Sequence, residues 1–192
     1  MKKLYGYIML IILILIDQLS KLFITTNFFL GEEREVIKNI FSIEYIRNTG
    51  AAWGMFPNGT IFFIIFSLIV CIGLLVLFNK TPKEKKYNYL SMVIIILVSG
   101  AIGNLIDRCF RKYVVDFFYF KLIDFPVFNV ADIYVTVAAI MLILLIMFYY
   151  KEDDFKFISF LRKKNDKEDK DLSNIEQESK EDNEKGEVKN GK

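Results

Sequence analysis

Four apolar runs of seventeen to twenty-one residues, Leu4–Ile24, Thr60–Phe78, Tyr89–Leu105 and Val130–Tyr150, leave this chain few ways to fold. At about 1.5 Å of rise per residue, each is long enough to cross a hydrocarbon layer about 30 Å thick. A backbone in hydrocarbon must satisfy its own hydrogen bonds, so each run is expected to be a transmembrane helix. Charge is distributed unevenly around them. The segment from Lys151 onward holds eleven basic and thirteen acidic residues, whereas the first 150 residues hold fourteen and ten. The expected organisation is an all-α polytopic membrane domain over 1–150, a juxtamembrane basic-aromatic segment over 151–164, and a disordered charged cytoplasmic tail over 165–192.

Lysine placement orients the spans. The link Asn79–Asn88, NKTPKEKKYN, has four lysines in ten residues, and Lys2, Lys3 and the basic tail fall on the same side. The positive-inside rule then makes both termini cytoplasmic and turns 25–59 and 106–129 outward. Met1-Lys2-Lys3 ahead of an apolar run also suits a signal peptide. However, Ile16 is followed by Asp-Gln-Leu-Ser-Lys rather than a small-x-small cleavage site, so the run is read as a retained span. In the first outer segment, Phe41-Ser42-Ile43-Glu44-Tyr45 alternates as a strand does, and Asn48-Thr49-Gly50 and Pro57-Asn58-Gly59 have turn chemistry. A small β-cradle over about 36–58 is expected, lying on the membrane surface with Trp53 and Phe56 at headgroup depth.

The chain has no histidine, which excludes a Ser-His-Asp triad, a Cys-His dyad and a His-ligated zinc site. No ligand cluster beyond carboxylates exists, so neither metal nor cofactor is expected. Cys71 and Cys109 lie at different depths and read as unpaired apolar fillers. The net charge of +2 points to no nucleic-acid partner.

Ionisable residues inside or beside spans therefore carry the functional signal. Asp17 and Lys21 share a helical face, either as a structural ion pair or as groups that orient a substrate. The third run ends in Gly100-Ala101-Ile102-Gly103-Asn104-Leu105-Ile106-Asp107-Arg108. Its glycines allow close helix approach, and Asn104 and Arg108 are spaced i, i+4. Asp107 beside Arg108 also reads as an ordinary interfacial ion pair. Beyond it, three aspartates stand among apolar neighbours. Asp132 begins the fourth run, with Asn129 as a candidate N-cap and the helix dipole favouring its charge. Asp116 lacks such support and could hold a proton. Brought together, the two would share one proton and could activate water while polarising a carbonyl. Asp124, in Ile123-Asp124-Phe125-Pro126, reads as a turn residue.

The ordered set Asp17-Gln18-x-x-Lys21, Asn48-Thr49-Gly50-Ala51-Ala52, Gly103-Asn104-Leu105-Ile106-Asp107-Arg108, Val114-Val115-Asp116-Phe117 and Phe128-Asn129-Val130-Ala131-Asp132 closely resembles bacterial lipoprotein signal peptidase, or signal peptidase II. The resemblance implies a membrane aspartic endopeptidase with four spans and a β-cradle after the first. Its substrates would be prolipoproteins cut before a diacylglyceryl-modified cysteine, in the cytoplasmic membrane and from the extracytoplasmic face. It implies Asp116 and Asp132 as the catalytic pair, with Asp17, Lys21, Asn48, Asn104, Arg108 and Asn129 as supporting or substrate-binding residues. Lipid-modified prolipoprotein and membrane lipids are the expected partners of a monomer. The chain departs from the family at Ile133-Tyr134, where a serine commonly follows the second catalytic Asp. Rhomboid-type serine peptidases require the absent histidine, and presenilin-like peptidases a Gly-x-Gly-Asp context that neither aspartate has. An ion-coupled carrier using Asp17, Lys21 and Asp132 would need charge near the bilayer midplane, whereas most charge here clusters toward the outer face.

Overall fold

The computed structural model describes residues 3–50 and 59–159. The turn residues Pro57 and Asn58, the aromatic anchors Trp53 and Phe56, and the segment from 160 onward lie outside the described residues. Within 3–150 the order is α1 (Lys3–Asn27), β1 (Glu33–Ile37), β2 (Phe41–Asn48), α2 (Thr60–Lys80), α3 (Asn88–Arg111), β3 (Val114–Tyr119) and α4 (Val130–Phe148). All four helices are long and apolar enough to cross a membrane. The protein is a four-helix membrane protein with a small three-stranded sheet. Described by itself, the segment after 150 begins with a 3₁₀ turn over Glu152–Ser159.

Helix α3 is central and packs against the other three. Val93, Ile95, Val98 and Ser99 on it have no exposed surface. By contrast, α2 presents Ile61, Phe62, Ile65, Phe66 and Ile69 outward, as a helix facing lipid does. At Gly100 α3 and α4 approach closely. A methyl group there would collide with the Ala131 carbonyl oxygen and crowd Val135 and Tyr134. Tyr134, second residue of the Ile133-Tyr134 pair, thus packs at a helix–helix contact.

Two elements differ from the sequence reading. Helix α3 continues six residues past Leu105, taking Asp107, Arg108 and Arg111 with it. Polarity rises there, yet Asp107 and Arg111 pair at 2.6 Å with i, i+4 spacing, and Lys112 then ends the helix in the left-handed region at φ 68°. The sheet also recruits a strand from the connection between α3 and α4. Its order is β1-β2-β3, antiparallel throughout, with Arg47 opposite Val115 and Ile46 opposite Asp116. The six-residue run Val-Val-Asp-Phe-Phe-Tyr is β-branched and aromatic, which suits it to a pleated surface. Ile24, at the end of α1, packs with Tyr45, Val115 and Phe117 and fastens the sheet to the helices. Of the cysteines, both free, Cys71 is buried but Cys109 is exposed near the end of α3, so only the first is a filler.

Candidate active site

Asp116 and Asp132 are sixteen positions apart in sequence, and backbone pairing brings their surroundings together. After β3 the chain loops back so that Phe128 bridges to Phe118. The Phe118 N–H donates to the Phe128 carbonyl at 2.8 Å and the Phe128 N–H donates in return at 3.0 Å. Asn129 follows at once and caps α4. Its side-chain oxygen accepts from the Asp132 N–H at 3.1 Å, and the Asp132 carboxylate accepts from the Asn129 N–H at 3.1 Å. This reciprocal capping box fixes the side chain of Asp132 at the helix start.

The remaining functional groups of Asn129 join the two aspartates. Its Nδ2 donates to Asp116 Oδ1 at 2.6 Å and to Asn104 Oδ1 at 3.1 Å. Asn104 Nδ2 donates to Asp132 Oδ1 at 2.8 Å, and Asn48 Nδ2, from the end of β2, donates to Asp116 Oδ2 at 3.0 Å. Each of the four carboxylate oxygens thus accepts one directed N–H, and three asparagines supply the frame. Two of them, Asn48 and Asn104, together with both aspartates line a cleft of about 970 Å³. Its walls include the apolar residues Ile46, Val114, Phe128, Ile133, Val135 and Val137.

Behind this frame lies a buried charge cluster. Lys21, fully enclosed, sits 3.0 Å from Asp17, 3.1 Å from Asp107 and 3.0 Å from Asn104 Oδ1. Asp17 also accepts from the Ala131 N–H at 3.0 Å, tying α1 to the first turn of α4. Gly103 makes room for it, since a methyl group there would stand 2.5 Å from Asp17 Oδ2. Asp107 accepts from the Val115 N–H at 3.1 Å and from Arg111, so it organises the start of β3. Its ion-pair partners are therefore Lys21 and Arg111, not the adjacent Arg108. Arg108 points into the cleft, donates to the Gly50 carbonyl at 3.3 Å and lies over the Phe63 ring at 5.2 Å. Asp124, at φ 47°, sits on the cleft wall and accepts from the Tyr119 hydroxyl at 2.7 Å.

The sequence reading singled out neither Arg111 nor the strand that presents Asp116. The i, i+4 spacing of Asp107 and Arg111 was an available signal for the first, and the β-branched, aromatic run for the second. Among the described residues no group of side chains could hold a metal ion.

Burial, followed by the charge of Asp132, pushes the carboxyl of Asp116 up to about 7 from an ordinary 3.8, against hydrogen bonds from Asn48 and Asn129 that lower it. A raised acid makes stability fall with pH. Below about pH 4 the group is protonated whether the chain is folded or not. Between 4 and 7 the folded protein holds a proton that the unfolded chain has lost, so stabilisation drains away as pH rises. Across that window Asp116 contributes a decline of at most about 4 kcal/mol. Asp116→Asn should flatten it. The lost acceptor displaces the whole curve without restoring its slope. Thermal midpoints in detergent at pH 4, 5.5 and 7 check this, and equal slopes for the two proteins would contradict it.

Comparison with known proteins is consistent in both sequence and structure. Residues 9–148 match the family model described as signal peptidase (SPase) II. A lipoprotein signal peptidase of Clostridium novyi (strain NT) is 39% identical over 137 residues, covering 70% of this chain and 91% of that protein. One from Streptococcus pyogenes serotype M5 (strain Manfredo) is 36% identical over 155 residues, covering 81% and 99%. A solved bacterial membrane enzyme, determined by the in meso method at 2.3 Å, superposes with a TM-score of 0.69 at 34% identity, covering 77% of this chain and 92% of that one.

Proposed function

Since the chain belongs to the signal peptidase II family, whose members remove signal peptides from prolipoproteins, we propose that Asp116 and Asp132 are its catalytic pair and that water is its nucleophile. The observation that carries this reading is the asparagine frame, in which Asn129 alone bonds both aspartates beside an open cleft. With Asp116 raised to about 7, the pair holds one proton near neutrality. The ionised carboxylate takes a proton from water as its oxygen attacks the scissile carbonyl carbon. The protonated carboxyl hydrogen-bonds the carbonyl oxygen and stabilises its developing charge. Collapse of the tetrahedral intermediate breaks the C–N bond, and the captured proton passes to the leaving amine.

The cleft walls support a lipid-modified substrate. Ile133 and Val137 are partly exposed on α4 and belong both to the cleft and to a helix that crosses the membrane. Acyl chains on a cysteine could lie along that face while the peptide bond meets the aspartates. The purified protein should cleave a precursor bearing a diacylglyceryl-modified cysteine, before that residue, and leave the unmodified precursor largely intact. Equal cleavage of both would overturn the lipid requirement.

The lysines of the connection between α2 and α3 support cytoplasmic termini and an extracytoplasmic site, in a protein that acts as a monomer in the cytoplasmic membrane. In a Cys71→Ala, Cys109→Ala background, an impermeant maleimide applied to intact cells should label Glu33→Cys and spare Lys85→Cys. The opposite pattern would invert the topology. A monomer should also retain full specific activity when diluted in detergent; activity that falls with enzyme concentration would show an obligate oligomer.

A further inference from the structure

We propose that Lys21 is a positioning residue that acts on Asp132 through the side-chain amide of Asn104. This rests on the reading of Asp116 and Asp132 as the catalytic pair. An asparagine amide has nearly the same shape in its two orientations, and only its neighbours decide which end carries the oxygen. Asn104 has three such neighbours. Its oxygen meets the Lys21 ammonium at 3.0 Å and the Asn129 amide nitrogen at 3.1 Å, while its nitrogen meets Asp132 Oδ1 at 2.8 Å. An ammonium only donates, so it accepts no other arrangement. Turned over, the amide would press N–H groups against two donors and a carbonyl oxygen against the Asp132 carboxylate.

The charge adds to the steering. A cation at the carbonyl end draws electron density from the amide and strengthens the N–H that meets Asp132, because hydrogen bonds in series polarise one another. Asn129 is set differently: its oxygen is tied to the N-terminal turn of α4, so its orientation does not depend on Lys21. The Asn104 oxygen is therefore held from two sides, by the buried cation and by Asn129, whereas the Asn129 oxygen is held by the helix cap. Asp17 and Asp107 hold Lys21 from its remaining sides, and Arg111 balances the second of them.

The test needs a variant that removes the ammonium without leaving an unbalanced buried carboxylate. Asp17→Asn with Lys21→Met does so, since Asp107 and Arg111 still pair. Its kcat on a diacylglyceryl-modified prolipoprotein should fall at least about tenfold with KM within about threefold, as expected when a preorganised donor is weakened rather than removed. Asn104→Leu, which removes the donor outright, should cost about 10²-fold. Combining all three substitutions should be no worse than Asn104→Leu alone, because Lys21 then has nothing to act through. A kcat near wild type in the folded Asp17→Asn, Lys21→Met protein would overturn the proposal. So would a tenfold loss repeated in full on top of Asn104→Leu, since that is the signature of a merely structural role. Asp132→Asn, measured in parallel, separates the two readings: wild-type turnover there would sink the catalytic pair itself.

Discussion

Asp116→Asn and Asp132→Asn should each cleave a lipid-modified prolipoprotein at least about 10²–10⁴-fold more slowly than the wild-type protein. Asparagine keeps the size of the side chain and one accepting oxygen, so the surrounding frame is largely preserved. What it removes is the group that exchanges a proton with water or with the carbonyl. In the proposed mechanism one member donates to the carbonyl while the other takes the proton from water, so losing either ends the exchange. The double variant should then be little slower than either single one. Asp124→Asn should remain within about tenfold of wild type, although Asp124 also lines the cleft. Asp124 accepts from the Tyr119 hydroxyl, and its left-handed backbone suits asparagine well. Turnover by the four purified variants, with folding checked by thermal denaturation in detergent, decides the matter. Near wild-type cleavage by either folded single variant of the pair would refute it, and a dead Asp124→Asn would show that the wrong carboxylates were paired.

Lys21→Met alone should behave differently and fail at the level of folding. The substitution leaves Asp17 buried with only the Ala131 N–H and Gln18 for partners, and leaves Asp107 to Arg111. Breaking a buried ion pair from one side typically costs about 3–5 kcal/mol, because the surviving charge has no counter-charge and no water. In a chain of this size that corresponds to a fall in thermal midpoint on the order of 10 °C. Adding Asp17→Asn should recover most of the loss by removing the stranded carboxylate. A single variant within about two degrees of wild type would mean that the cluster is not what joins α1 to α3 and α4.

The spans were legible because hydrocarbon demands long apolar helices, and the capping box because Asn129 and Asp132 have its spacing. The pairing of Asp107 was not read correctly. Adjacent residues on a helix point about 100° apart, so Asp107 and Arg108 cannot serve one face. Had α3 been extended past Leu105, Asp107 would have fallen toward α1 and Arg108 toward the cleft. The strand carrying Asp116 had a local signal in its β-branched, aromatic run, but its place in the sheet did not. Its partner β2 lies more than sixty residues earlier, and no local pattern announces a pairing across two intervening spans. The asparagine frame shows a similar limit. Each asparagine was visible as a candidate, but which oxygen each would serve depends on side chains brought in from α1, α3 and the connections that carry β2 and β3.

The tie between Asp17 and the Ala131 N–H has a consequence in time. A chain entering the membrane from its N-terminus places α1 first and α4 last, so the first helix waits for the last with its acceptor unmet. Until then Asn129 has no helix to cap and Asp116 has no second carboxylate to share a proton with. A chain whose α4 has yet to insert therefore lacks both the Asp132 carboxylate and the cap that orients it. Docking of α4 against α1 is the event that completes the candidate site.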